Sequence, residues 1–316
     1  MKLGIKVLLI LSVFFFMLNI SSCGKEGFGG YLISDEREVE MGSDVSKELA
    51  LEYKLVSTSD PVHEWAVQLV NGLSSASSDL RNPSRFGGYK VRVIKDDKLV
   101  NAFAAPGGFT YLSTGLILKA DKCAEIAGVM SHELAHVIKR HSIKSLETKM
   151  SAQMLGELFG LGEIAQATLS VATGYLTGVT YSKDQEHEAD KVAIGIMGAA
   201  TYNPLALADF FAKLIPSGGE SAPGMVNKLN DWFSSHPRTS DRISAVEKEV
   251  ESKYPGTTRD GSNFHMDCVG TTMQLDAVKA RISGSELQIE AGTGTKKKDN
   301  TTQPVEPSPE GEKIPA

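Results

Sequence analysis

His132-Glu133-Leu134-Ala135-His136 constrains this chain more than any other stretch of its sequence. Ile126, Ala127, Met130, Leu134, Val137 and Ile138 recur at helical spacing around it and predict a helix with one packed face. On a helix, positions four apart share a face, with their Cβ atoms about 6 Å apart. Two imidazoles so placed reach one metal ion, and Glu133 borders the same cleft. Zinc bound in this manner keeps a coordination position for water, and a neighbouring carboxylate can take that water's proton. Such a site needs a third protein ligand. Tyr181–Ile194, YSKDQEHEADKVAI, is the candidate source. If Ala189, Val192, Ala193 and Ile196 pack, the other face offers Glu186 as ligand. Asp190, one turn on, would orient a ligand histidine. Glu188 competes with Glu186 on spacing alone, and His187 points about 100° away from Glu186.

The N-terminus predicts export. Lys2 and Lys6 precede Val7–Ile20, which is almost wholly apolar and shorter than the roughly 20 residues of a membrane span. Ser21-Ser22-Cys23-Gly24 follows, a pattern that resembles a bacterial lipoprotein signal cleaved before a lipidated cysteine. The expected organisation is a signal peptide over 1–22, a linker lipidated at Cys23 over 23–33, a catalytic domain over 34–290 and a disordered tail over 291–316. That tail is rich in Pro, Thr, Lys and Glu and too poor in apolar residues to offset its ordering entropy. The formal charge is −6, and loss of Lys2 and Lys6 with the signal takes it to −8. An acidic balance excludes nucleic acid as an expected partner. Cys123 and Cys268 then remain as an even pair in an oxidising compartment, either bridged or as two buried thiols.

Along the middle, Ser34–Val56 reads as a charged surface helix. Asp60-Pro61 opens a second helix running to about Leu73, with Asp60 as its cap. Ser74–Gly88 reads as loop, and Tyr89–Ile94 as a half-buried strand. Leu99–Ala105 and Gly108–Leu112 read as strands interrupted by Pro106-Gly107-Gly108. Helices dominate from there to about residue 252. Met150–Ser182 carries only Glu157 and Glu163 as charges and reads as a buried helical hairpin rather than a membrane insertion.

Four blocks together resemble a known family: NAFAAPGGFTYLSTGLI (Asn101–Ile117), AEIAGVMSHELAHVIKRHS (Ala124–Ser142), EHEADKVA (Glu186–Ala193) and SHPRTSDRI (Ser235–Ile243). This order is similar to that of the H-E-x-x-H zinc endopeptidases (gluzincins) that include the CAAX prenyl proteases, HtpX and the periplasmic BepA and LoiP proteases. The resemblance implies a zincin-like α+β fold, mainly helical, with a small mixed β-sheet whose edge strand flanks the active-site helix. It implies one Zn²⁺ held by His132, His136 and Glu186, with Glu133 as catalytic base. It places an edge strand for extended substrates near Gly107, Gly108, Phe109, Thr110 and Tyr111. It brings His236 to the metal, either as a gate or as a stabiliser of the reacting carbonyl. Arg242 is then expected to pair with an acid or to support the oxyanion. His141 is expected to orient the end of the metal helix, and His63 and His265 to be packing or surface groups. The expected substrates are unfolded or misassembled envelope proteins, at the periplasmic side of a bacterial envelope and with a lean to the outer membrane and its assembly machinery. The alternative is an assembly factor of chaperone type with a closed zinc site.

Overall fold

The computed structural model describes residues 33–149, 181–214, 236, 240–261 and 263–295. The expected signal peptide, Cys23, the hairpin predicted over Met150–Ser182 (apart from its last two residues) and the tail beyond residue 295 lie outside them.

Helix α1 (Asp35–Glu52) starts at Ser34, whose side chain accepts from the Arg37 amide. It is less of a surface helix than its charge suggests, because Glu38, Met41, Gly42, Val45 and Leu49 form a buried stripe. The chain leaves the helix at Tyr53, so Leu55 and Val56 instead make extended bridges to Ile94 and Ile289. Helix α2 (Pro61–Ser75) begins as expected, with the Asp60 carboxylate accepting from the Val62 amide and proline at the first turn. The segment read as loop after it holds a short 3₁₀ turn, Pro83–Phe86, and the buried side chain of Arg81.

Three strands follow: β1 (Lys90–Ile94), β2 (Ala102–Ala105) and β3 (Phe109–Ser113). Their order is β1-β3-β2, with β1 parallel and β2 antiparallel to β3. This corrects one expectation. Gly107, Gly108, Phe109, Thr110 and Tyr111 do not form an edge, because β3 is the central strand and Thr110 and Tyr111 pair on both sides. The edge beside the H-E-x-x-H helix is β2, and among the described residues no strand pairs with its outer side.

After α3 (Thr114–Lys119) comes α4 (Cys123–Ile138), buried along its whole length. It packs on α2, β2, α6 (Lys183–Ala199) and α7 (Leu205–Leu214). Gly128 permits the approach of α7, since a Cβ there would stand 3.2 Å from Leu207 Cα. Helix α5 (His141–Lys149) follows α4 closely, while α8 (Ser240–Lys253) covers α6 and α7, and α9 (Leu275–Ser283) packs on α2. Among the described residues no helix is long and apolar enough to cross a membrane.

Cys123 and Cys268 form a disulfide that ties the first residue of α4 to the segment preceding α9. It closes a loop of 145 residues in the chain. Cys268→Ser is therefore expected to lower unfolding free energy by about 3–5 kcal/mol, measured by urea titration of oxidised protein. Asp60 makes a second long-range tie. Its carboxylate accepts from Arg281 Nη2 at 3.0 Å and from the Gln288 amide at 2.9 Å. Burial raises its pKa, but Arg281 and the two amides outweigh this and hold it below the ordinary 3.8. The stability it adds is present above that unfolded value and lost as pH falls through the lower folded one. Asp60→Asn should cost about 2 kcal/mol at pH 7 and progressively less below about pH 4, as urea melts at both pH values would show.

Candidate metal centre

Helix geometry brings His132, Glu133 and His136 to the face of α4 that looks toward α6. All three are buried. The start of α6 is fixed by a capping box, with Ser182 Oγ accepting from the Gln185 amide and Gln185 Oε1 from the Ser182 amide. That cap places Glu186 in the first turn, against α4, and Asp190 one turn later. Ala189, Ala193, Ile194, Ile196 and Met197 supply most of the packed surface of α6.

His132 Nε2 and His136 Nε2 are 3.0 Å apart, and each lies 3.5 Å from a Glu186 carboxylate oxygen. His236 joins them, its Nδ1 3.0 Å from Glu186 Oε1 and 3.2 Å from His132 Nε2. Its Nε2 is 3.3 Å from Glu133 Oε1. One potential ligand atom from each of His132, His136, Glu186 and His236 falls within 4.8 Å of all the others.

The far sides of the imidazoles show why this arrangement suits a cation. His132 Nδ1 lies 2.8 Å from Asp190 Oδ1, so that nitrogen carries a proton and Nε2 is the atom turned toward the other ligand atoms. His136 Nδ1 is 2.8 Å from His141 Nδ1, and His141 Nε2 is 3.1 Å from Glu188 Oε2. If the Glu188 carboxylate accepts from His141 Nε2–H, His141 Nδ1 accepts from His136 Nδ1–H, which leaves the His136 Nε2 lone pair facing His132. Two imidazole nitrogens 3.0 Å apart, with a carboxylate beside them in a buried site, call for a proton or a metal ion among them. The donor set of imidazole nitrogens and carboxylate oxygens fits a metal ion.

Electrostatics agree with that reading. Burial pulls the His132 pKa down, but Asp190 and Glu186 outweigh it and carry it up to about 9. His136 is pushed well below its ordinary range, by burial first and then by the charge on His132. Burial raises the Glu186 carboxyl, yet His236 and His132 hold it far below the carboxylate range. Arg242 neutralises the acids from behind. Its Nε and Nη2 form a fork on Asp190 at 2.8 and 2.7 Å, and Nη1 reaches Glu186 Oε2 at 2.6 Å. The guanidinium also stacks on Phe211, 4.5 Å from the ring centroid. Arg242 thus pairs with acids.

Glu188, the rival ligand on spacing, turns toward Lys139 and His141. His187 lines a small crevice between α6 and α8. His63 is a packing group whose Nε2 meets the Val91 carbonyl, and His265 bridges to Tyr202. Tyr181 was not anticipated. Its ring stacks on His136 at 3.8 Å between centroids, and its hydroxyl meets Ser142 Oγ at 3.0 Å. Its only sequence signal is its place just before the Ser182 cap.

Residues 63–250, more than half of the chain, match Peptidase family M48. The chain belongs to peptidase family M48. Among its M48 relatives is a putative beta-barrel assembly-enhancing protease of Vibrio cholerae, 29% identical over 62% of this chain and 40% of the relative. The beta-barrel assembly-enhancing protease of Escherichia coli K12 is 24% identical over 87% of this chain and 56% of its own length. A mitochondrial metalloendopeptidase OMA1 of Schizosaccharomyces pombe is 25% identical over 68% and 62% of the two chains. The chain thus spans about half the length of the curated relatives it matches.

Proposed function

We propose that this M48 chain is a zinc metalloendopeptidase of protein quality control in a bacterial cell envelope. The observation that carries the reading is the convergence of His132 Nε2 and His136 Nε2, 3.0 Å apart, beside Glu186 in a buried site that Glu133 borders. His132, His136 and Glu186 would hold one Zn²⁺, which when bound supplies Lewis acidity toward the scissile carbonyl and its attacking water. Asp190 and Arg242 fix the His132 tautomer and keep Glu186 ionised. His141 does the same for His136. Glu133 accepts the proton of the attacking water and delivers it to the departing amine.

The substrate proposed is an extended, unfolded or misassembled polypeptide. The Asn101 carbonyl accepts from the Ser113 amide, so the alternation of an antiparallel ladder turns the amides and carbonyls of Ala102 and Ala104 away from β3. Ala102 is buried, so Ala104, part-exposed, is the residue that offers its backbone groups to an extended chain, a contact that selects sequence only weakly. Anchoring through lipid on Cys23, a periplasmic setting and a link to outer-membrane assembly draw support from the leader sequence and from the names of the bacterial relatives. Chelation of the purified protein should abolish casein cleavage, and zinc alone should restore it. Cleavage that survives chelation would refute the proposal.

One observation favours a second reading, an assembly factor with a closed zinc site. His236 stands among the ligand atoms and against Glu133. If this imidazole closes the site, His236→Ala should raise casein cleavage about tenfold. A fall by a similar factor would assign it to the reacting carbonyl, and an unchanged rate would remove both roles.

A further inference from the structure

The Pro106-Gly107-Gly108 turn that joins β2 to β3 is held by side chains from elements outside the metal site. Gly107 has φ +69°, and a Cβ on it would stand 2.6 Å from Val39 Cα of α1. Gly42 of α1 returns the contact, since a Cβ there would meet the Pro106 carbonyl oxygen at 1.9 Å. Helix and turn therefore touch backbone to backbone. Both polar groups of the Gly107 peptide are taken by side chains. Its amide donates to Glu38 Oε1 at 3.1 Å, and its carbonyl accepts from Lys90 Nζ at 3.0 Å.

Glu38 is 1% exposed and carries further partners. Arg81 donates to it through Nη2 at 2.9 Å and Arg140 through Nε at 2.8 Å. The same Arg81 donates to the Val137 carbonyl in the last turn of α4 at 2.8 Å, and Arg140 follows that helix at φ +53°. One buried carboxylate thus links the turn ending β2 to the end of the helix bearing His132 and His136. Well-packed apolar residues hold a turn at lower desolvation cost than buried ions do. What the ions add is a defined spacing between strand edge and metal helix.

We propose that Glu38 and Lys90 are positioning residues that hold this turn, and through it the open edge of β2, in the geometry that receives an extended polypeptide. The inference rests on the peptidase reading given above. It is tested on the full chain carrying Glu133→Gln, using fluorescein-labelled unfolded casein as the probe and fluorescence anisotropy to read its Kd. Glu38→Gln and Lys90→Met should each raise that Kd about tenfold, with zinc content unchanged. In the cleaving enzyme, the same substitutions should raise KM and leave kcat within about twofold. Lys90 is only half-buried, so its variant keeps the test open if Glu38→Gln folds poorly. Casein binding equal to the parent's, whatever the change in thermal stability, would reduce the network to a structural role and overturn the proposal. A Glu133→Gln parent that does not bind casein, together with a wild type that does not cleave it, would overturn the peptidase reading and this inference with it.

Discussion

Glu133→Gln should retain zinc and lose casein cleavage by about a thousandfold or more, given the 10²–10⁴ range of general acid–base catalysis and the dual proton role assigned to this carboxylate. The substitution is nearly isosteric, so the buried packing of α4 around Glu133 stays filled. His236 Nε2, which lies 3.3 Å from Glu133 Oε1, can still meet the amide oxygen. Zinc content should be insensitive to the change, because Glu133 is not among the converging residues His132, His136, Glu186 and His236. Normal turnover in this variant would remove Glu133 from the mechanism.

Arg242→Met should be the most destabilising substitution near the site, at about 3–5 kcal/mol, because it leaves Asp190 and Glu186 as buried carboxylates without their cation. For a chain of this size that corresponds to a fall in Tm of about 10 °C. Methionine keeps contact with Phe211, so the loss reports charge more than packing. Arg242→Lys should recover little, because an ammonium cannot supply the planar fork that Arg242 places on Asp190. Zinc should narrow the difference in Tm between wild type and variant, since a bound cation offsets part of the unpaired acid charge. Calorimetry with and without zinc measures both effects.

The local parts of the site were readable from the chain. His132, Glu133 and His136 lie within two turns of a helix whose apolar period is strong, and the Asp60-Pro61 start of α2 is a matter of local capping. Glu186 against Glu188 was not separable by spacing. In the structure Glu188 turns to Lys139 and His141, about 200° round α6 from Glu186, which joins the His132 and His136 cluster. The edge of the sheet was misplaced for a similar reason. β3 becomes central through its parallel partner β1, a pairing between distant segments that leaves no mark on periodicity. α1 looked like a surface helix because its charges hid the stripe of Glu38, Met41, Gly42 and Val45. Glu38 itself, and the Arg81 side chain from what reads as loop, pair only through the tertiary fold.

The most direct measurement is zinc stoichiometry on the purified full chain and on four single variants. The account predicts about one zinc per chain in wild type and in Glu133→Gln, and loss of zinc in His132→Ala, His136→Ala and Glu186→Ala. A wild type without zinc, or a Glu186→Ala variant that keeps it as tightly as wild type, would contradict the proposed centre.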